Sequence, residues 1–252
     1  MNLKVGYWNI NKRDNSQIES FINDLVNAEQ LDLLFLSEFE NLDVTFIKSP
    51  YQVIPATPNC KKVLVIQKEN LDYIIKNEEQ RFVLVTSDLL NCSVVGLHLE
   101  DNSHGDASKD RLETLRRIME AAYRTDYKNK IFVGDFNCMP YDDELVNYYV
   151  MHSVLFKKEM KSNNNQYKKH YNPMLLLLNE QNEMYGSYRY TNKKHSLYWY
   201  GYDQVIVSES LVDSIYDVKY LKTIKGISLM SKGGVSPSIS DHLPLVFEIR
   251  GL

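Results

Sequence analysis

No stretch of this sequence stays apolar long enough to cross a bilayer. The longest uninterrupted run, Met174 to Leu178, falls far short of the roughly 20 residues that a spanning helix needs. Cysteine is scarce. Cys60, Cys92 and Cys138 are odd in number and widely spaced, which argues against a disulfide framework or a zinc cluster. No context around Cys138 supports a catalytic thiol, so it reads as a small buried hydrophobe. Positive charge is not in excess either. The chain carries 29 Lys and Arg against 33 Asp and Glu, a net charge of −4. It therefore lacks the broad basic surface that grips nucleic acid by phosphate neutralisation alone, although a local basic groove is compatible with that balance. The N-terminus enters a strand pattern directly, with no apolar signal-peptide core. There is no internal repeat, no Pro/Ser-rich linker and no break in composition. Together these absences lead us to expect a soluble cytoplasmic protein without a membrane span, folded as one domain over residues 1–252.

What is present is enough apolar sequence, 44%, for a sizeable core, and 18 tyrosines, whose amphipathic rings suit half-buried sheet faces and contact surfaces. The pattern is organised around residues 130–137. Ile131, Phe132 and Val133 suit a buried strand. Gly134 ends the run, and Asp135 and Asn137 follow one position apart, on the same side of an extended chain. Gly-Asp-x-Asn is also good turn chemistry, so this stretch alone does not decide between a turn and a site.

The remaining pattern decides it. Leu3 to Ile10 reads as a strand ending in Asn9. Ser16 to Gln30 reads as an amphipathic helix, with Ile18, Phe21, Ile22, Leu25 and Val26 on one face and a Ser16/Glu19 capping box. Leu33 to Leu36 is apolar on both faces and ends at Glu38, a carboxylate that needs a partner or a metal if it is buried. Val63–Gln67, Arg81–Ser87 and Cys92–Leu99 are further strand candidates, the last delivering His98. The stretch 70–80 reads as a connection. Lys109 to Ala122 reads as a second amphipathic helix with Arg111 near its start, and 142–144 as another helix start. Asp203 leads a strand through Val207, and Asp241 and His242 precede a final strand from Leu245.

Two stretches carry alternative readings. Residues 157–170, rich in lysine and asparagine, read first as a solvated insertion and second as a basic patch near a phosphate substrate. Between Tyr185 and Tyr200, Tyr188, Tyr190, Tyr198 and Trp199 mix with Arg189, Lys193, Lys194 and His195. That mixture suits base stacking with phosphate contact, and equally a tyrosine-rich hairpin.

Asn9, Glu38, His98, Asp135, Asn137, Asp203, Asp241 and His242 all sit beside buried-strand patterns. If the strands align, they converge on one end of the sheets. Glu38 and Asn9 offer hard oxygen ligands suited to Mg²⁺ or Mn²⁺. Asp135 can orient or deprotonate water. Asp203 can fix the tautomer of His242 and keep it cationic, and a cationic histidine stabilises charge on a phosphate.

In their order, Tyr7-Trp8-Asn9-Ile10, Leu36-Ser37-Glu38, Gly96-Leu97-His98-Leu99, Gly134-Asp135-Phe136-Asn137, Tyr202-Asp203-Gln204-Val205 and Ser240-Asp241-His242-Leu243-Pro244 resemble the signatures of the endonuclease/exonuclease/phosphatase superfamily. That group includes deoxyribonuclease-I-like nucleases, exonuclease-III-like repair enzymes and inositol-phosphate 5-phosphatases. The resemblance spans nearly the whole chain. It implies a four-layered α/β sandwich, two packed and mostly antiparallel sheets with helices outside, and Mg²⁺-dependent hydrolysis of a phosphate ester by direct attack of water. It implies Glu38 as the main metal ligand with Asn9 in support and Asp241 on the metal side. Asp135 would align or activate the water, and Asn137 would hold Asp135 and a phosphate oxygen. His242, oriented by Asp203, would contact the scissile phosphate. His98 matches a phosphate-contacting histidine or general acid of the deoxyribonuclease-I-like and phosphatase branches. Arg111 and Asn11 are outer candidates for substrate contact. Asn11 stands where some repair-type members carry an acid, and the repair branch's active-site tyrosine has no counterpart by motif.

The expected function is a divalent-metal-dependent nuclease acting on DNA or RNA. The alternative is a phosphatase or phosphodiesterase of a small or lipid-linked phosphate such as an inositol phosphate, which the acidic net charge favours. A degenerate binding scaffold ranks last, because all eight positions hold chemically competent residues.

Overall fold

The computed structural model describes every residue except 56–58, 104, 162–167, 179–184, 191–197 and 233. Lys193, Lys194 and His195 therefore lie outside the described residues.

Two large sheets form the framework. The strands of the first half are β1 (Asn2–Asn9), β2 (Leu33–Ser37), β3 (Tyr51–Ile54), β4 (Val63–Lys68), β5 (Ile74–Glu79), β6 (Phe82–Ser87), β7 (Cys92–His98) and β8 (Asn129–Asp135). The second half adds β9 (Ser153–Val154), β10 (His170–Tyr171), β11 (Tyr188–Arg189), β12 (Trp199–Tyr200), β13 (Asp203–Ser208), β14 (Ile215–Tyr220), β15 (Thr223–Ile224), β16 (Ile227–Ser228), β17 (Met230–Ser231), β18 (Gly234–Val235) and β19 (Leu245–Arg250). One sheet has the order β14-β19-β1-β2-β4-β3, the other β5-β6-β7-β8-β13-β10-β9, and three two-stranded ribbons complete the set. The helices α1 (Ser16–Ala28) and α2 (Ala107–Tyr123) are the long ones. Each bridges a parallel pair, β1 with β2 and β7 with β8, as parallel strands require a crossover. The other pairings in the large sheets are antiparallel except β9 with β10. This is the sandwich of two packed sheets with helices that the motifs imply.

Side-chain alternation separates the layers. In β6 and β8, Val83, Val85, Ile131 and Val133 belong to the large core that also contains Val5, Phe35 and Phe247 of the other sheet. Phe82, Leu84 and Phe132 point the other way, into a second core with Leu115 and Ile118 of α2. The two sheets pack tightly where Phe35 lies against Gly96, since a Cβ there would come within 2.2 Å of the Phe35 ring.

Several expectations change in detail. The cap of α1 is Asn15, whose side chain accepts from the Ile18 amide, rather than Ser16. Residues 74–79 are strand rather than connection. Among the described residues β5 pairs only with β6, at the edge of its sheet, and its half-exposed polar sequence hides the period-two signal. Gly134 does not take a left-handed backbone angle. It is needed because a Cβ would lie 2.0 Å from the Leu97 carbonyl oxygen of the neighbouring strand. Among the described residues, no helix is long and apolar enough to cross a membrane.

Candidate active site

The strand pairings themselves carry the polar residues together. β1 and β2 run parallel with Asn9 beside Ser37, so Glu38 emerges next to Asn9. β7 and β8 run parallel with His98 beside Asp135, and β13 runs antiparallel to β8 with Asp203 beside Asp135. β19 runs antiparallel to β1 and begins at Leu245, opposite Tyr7, which leaves Asp241 and His242 at the Asn9 end. The polar groups thus stand at the rim of a rigid scaffold.

Asn9, Glu38, His98, Asp135, Asn137, Asp241 and His242 line one cavity of about 530 Å³, together with Asn102, Tyr188, Tyr190, Tyr200 and Tyr202. Asn9 lies between two carboxylates, its Nδ2 donating to Glu38 Oε1 and to Asp135 Oδ2 at 3.2 Å each. Its Oδ1 accepts from the Asn11 amide at 3.0 Å. The other Asp135 oxygen accepts from the Asn137 amide at 2.9 Å. Burial pushes the Asp135 carboxyl up, and the nearby His242 opposes that shift. Two residues at the rim, Glu38 and Asn137, have left-handed backbone angles of 51° and 50°. Such angles cost a non-glycine residue about 1–3 kcal/mol and persist where the surroundings over-determine them. In Glu38 the angle turns the side chain out of the sheet end toward the cavity it lines.

The two histidines are held in opposite states. His242 Nδ1 lies 2.7 Å from Asp203 Oδ2. Burial alone would lower its pKa, but the charge and hydrogen bond of Asp203, with Asp135 beyond, outweigh burial and raise it to about 10. The Nδ1–H therefore donates to Asp203, and Nε2 faces Asp135 Oδ2 at 3.9 Å. The backbone of His242 is fixed as well. Its amide donates to Ser240 Oγ, Ser240 Oγ donates to the Asn9 carbonyl, and Trp8 Nε1 donates to the His242 carbonyl. Burial instead pushes His98 down to about 4, so it is neutral. His98 Nε2 stands 3.8 Å from Glu38 Oε1 and 3.9 Å from Asp135 Oδ2.

The donor set suits a hard divalent cation. Glu38 and Asp135 converge on a single neutral amide, Asp241 faces the same space, and carboxylate oxygens are the ligands that Mg²⁺ and Mn²⁺ prefer. Asp135, Asp203 and His242 also bring one ligand atom each within 4.8 Å of one another. Within that trio His242 Nδ1 is paired with Asp203 Oδ2 at 2.7 Å. The step on to Asp135, 3.9 Å from Nε2, is an ion-pair distance rather than a hydrogen bond.

Eight residues expected at the strand ends are thus assembled at one end of the sheets. Asp203 lies beneath His242 and is fully buried, while the other seven line the cavity. Two outer candidates are not in its lining. Arg111 is buried, with Nε and Nη2 on Glu144 Oε1 at 3.0 and 2.6 Å and Nη1 on the Glu100 carbonyl and Asn102 Oδ1. Its donors are committed to Glu144 and to the 100–102 loop, and its link to the cavity lining runs through Asn102. Asn11 contributes its backbone amide to Asn9 rather than a side chain to the cavity. Asn137 holds Asp135 through its backbone, while its side-chain Nδ2 donates to the Leu99 carbonyl at 3.0 Å. None of the described residues of the 157–170 stretch lines this cavity. Lys168 and Lys169 line a separate cavity with Lys128, Lys130 and Ser208, at the opposite ends of β8 and β13. What the motifs missed is the Asn102 loop and the way four tyrosines share one wall. Tyr188 and Tyr202 stack at 5.7 Å between centroids, and Tyr200 lies 4.9 Å from Tyr202. The aromatic spacing hinted at that wall without saying which face it lines.

No protein-family model matches the sequence, and no curated protein matches it. Solved structures do. D. rerio TDP2 complexed with a single-strand DNA product is 15% identical with a TM-score of 0.62, and the match covers 99% of each chain. An AP endonuclease from Archaeoglobus fulgidus is 15% identical with a TM-score of 0.59, covering 99% of this chain and 100% of that one. An endonuclease/exonuclease/phosphatase family protein from Bacteroides thetaiotaomicron is 14% identical with a TM-score of 0.59, covering 99% and 95%. At these identities the likeness speaks to the fold, and it runs the length of the chain: this protein has the fold of the endonuclease/exonuclease/phosphatase superfamily.

Proposed function

We propose that this chain is a divalent-metal-dependent phosphodiester hydrolase that cleaves a polynucleotide by direct attack of water. The observation that carries the reading is the chain from Asp203 through a cationic His242 to Asp135, 2.7 and 3.9 Å in its two steps, at the floor of a carboxylate-rich cavity. His242 Nε2–H is a charged donor aimed at the space a phosphate oxygen would enter, where the growing charge of the transition state is stabilised. Asp135, oriented at both oxygens by the Asn137 amide and the Asn9 side chain, accepts the proton of the attacking water. Its raised pKa makes it a better proton acceptor than an exposed aspartate. Glu38 and Asp241 would hold the Mg²⁺ or Mn²⁺, with Asn9 ordering Glu38, and the cation would neutralise charge on the phosphate. His98, neutral and beside Glu38, can hydrogen-bond a second phosphate oxygen or the leaving group.

The tyrosine wall supports a polynucleotide, because every base has a π-face to lay on it. Among structures of the same fold, the D. rerio TDP2 holds a single-strand DNA product and a Neisseria 3′ phosphatase holds a product DNA hairpin. The second reading, a small phosphate ester, is favoured by the acidic rim of Glu38, Asp101 and Asp241 and by the net charge of −4. Hydrolysis of single- and double-stranded DNA, RNA and an inositol phosphate with Mg²⁺, Mn²⁺ or EDTA separates the two, with Glu38→Ala as control. Metal-dependent cleavage of a polynucleotide, lost in the variant, is the expected result. Release from the inositol phosphate with no polynucleotide cleaved would move the protein to the second reading.

A further inference from the structure

The β11–β12 ribbon has two faces, and the catalytic cavity uses only one. Tyr188 pairs with Tyr200, and Arg189 with Trp199. Tyr188, Tyr190 and Tyr200 face the catalytic cavity. Arg189 and Trp199, on the alternate face, line a second groove of about 260 Å³ with Tyr185, Lys222, Lys232 and Leu243. The two spaces are next to each other. Leu243 follows His242 in the chain, and Tyr188 bridges to His242 with its ring 4.8 Å from the imidazole. A strand with its phosphate at His242 needs only to pass over the ribbon to enter the groove.

The groove is built around Arg189. Its guanidinium stands 6.0 Å from the centre of the Trp199 ring, and its Nε is buried with no hydrogen-bond partner among the described residues. Its aliphatic stem is seated on Gly234, where a Cβ would come within 2.3 Å of the Arg189 Cδ. Gly234 also has a φ of 132°, open to glycine and strained for other residues. Tyr185 extends the aromatic surface, its ring 6.4 Å from that of Trp199. An aromatic platform beside a fixed guanidinium, with two lysines at the edge, matches a base and the phosphate next to it. The volume is near the lower end for a small-molecule site, which suits one nucleotide rather than a folded partner.

We propose that this groove is a subsite for the nucleotide flanking the scissile phosphate, taking its base on Trp199 and Tyr185 and its phosphate on Arg189. The proposal rests on the polynucleotide reading of the catalytic cavity and gives that cavity a strand path. It also accounts for an acidic protein acting on a polyanion, because the positive charge that the chain lacks overall is gathered where the strand leaves.

The test compares Trp199→Ala, Arg189→Gln and Gly234→Ala with the wild type. Each is assayed on a single-stranded decamer and on bis(4-nitrophenyl) phosphate, a diester that carries no flanking nucleotide. For each variant, the ratio of kcat/KM on the decamer to that on the small diester should fall about tenfold, within the range for losing one base–aromatic stack, and Trp199→Phe should recover most of it. A ratio equal to that of the wild type in Trp199→Ala or Arg189→Gln, whether through no effect or through equal loss on both substrates, would overturn the subsite. Decamer binding in EDTA, read by fluorescence anisotropy, keeps the two proposals apart. If the wild type hydrolyses neither substrate, the catalytic reading falls, and the groove still stands provided Trp199→Ala weakens that binding.

Discussion

Asp203 shows how one residue sets the chemistry of another. It never reaches the cavity, yet its carboxylate at 2.7 Å is the reason the buried His242 is cationic. Without it, His242 would lose the largest of the influences that oppose burial, leaving Asp135 and Asp241. Asp203→Asn and His242→Asn should each lower kcat by about 10²–10⁴, the usual contribution of a positioned acid–base group. The double variant should lose little more than either single one, because the two act as a unit. Losses that multiply across a double-mutant cycle would contradict the pairing. Glu38 offers a second test. At a φ of 51°, glycine is at ease and alanine is strained, so Glu38→Gly should be more stable than Glu38→Ala by about 1 kcal/mol in urea unfolding. Both should be inactive. Equal stabilities would mean that the backbone relaxes when the carboxylate is removed. At this scale the sequence was informative about which residues mattered, since polar groups at the ends of apolar runs are conspicuous. It was silent on partners. Nothing in the spacing of Arg111 reveals that Glu144 takes its guanidinium, because that contact joins α2 to the short helix Asp143–Val146, 33 residues away.

Elements were legible where one face is buried, and illegible where burial is partial. α1, α2 and the central strands announced themselves by period. β5 did not, because an edge strand with a polar, half-exposed face has no alternation to read. The short β9 and β10 lack the length for a period and are added to the sheet by pairing with each other and with β13. Glycines in central strands are a related case. The sequence suggests a turn at Gly134, whereas the structure uses its missing side chain to let β8 lie close to β7. Gly96→Ala should destabilise the fold by about 1–3 kcal/mol through overpacking against Phe35, and Phe35→Leu should restore part of the loss. Gly134→Ala should have no such rescue, because its obstacle is the backbone carbonyl of Leu97. Thermal unfolding of the three variants checks both statements. A Gly96→Ala protein as stable as the wild type would mean that the two sheets do not meet as closely as Phe35 requires.

Across the whole molecule, buried histidines tie stability to pH. His170 is fully buried far from the cavity, its Nδ1–H donating to the Met151 carbonyl at 2.6 Å and its Nε2 accepting from the Tyr123 hydroxyl at 2.7 Å. Burial lowers its pKa to about 4, below the value of about 6.5 in an unfolded chain. Between these values the unfolded state binds more protons, so stability falls as pH falls from about 6.5 toward 4, by on the order of 1–2 kcal/mol at pH 5 for one such group. His98 acts in the same direction. Urea unfolding at pH 7 and pH 5 should show the drop, and His170→Gln should reduce it. An unchanged difference in the variant would contradict the assignment. Charge is the other property of the whole. With a net charge of −4 and few cations along the strand path, binding of a single strand should depend weakly on salt. The slope of log affinity against log salt should be about −2, as for two to three phosphate contacts.

The most direct test of the account is cleavage of an end-labelled oligonucleotide by the wild type and by Asp135→Asn, each with Mg²⁺ and with EDTA. Circular dichroism and thermal unfolding of the same preparations would be recorded alongside. Asp135 stands where the phosphate donor His242, the ordering amides of Asn9 and Asn137, and Glu38 all converge. The account predicts metal-dependent cleavage by the wild type, and a loss of at least about 10²-fold in a variant that remains folded. Cleavage by folded Asp135→Asn at the wild-type rate would remove the water-activating group from the mechanism and contradict the central claim.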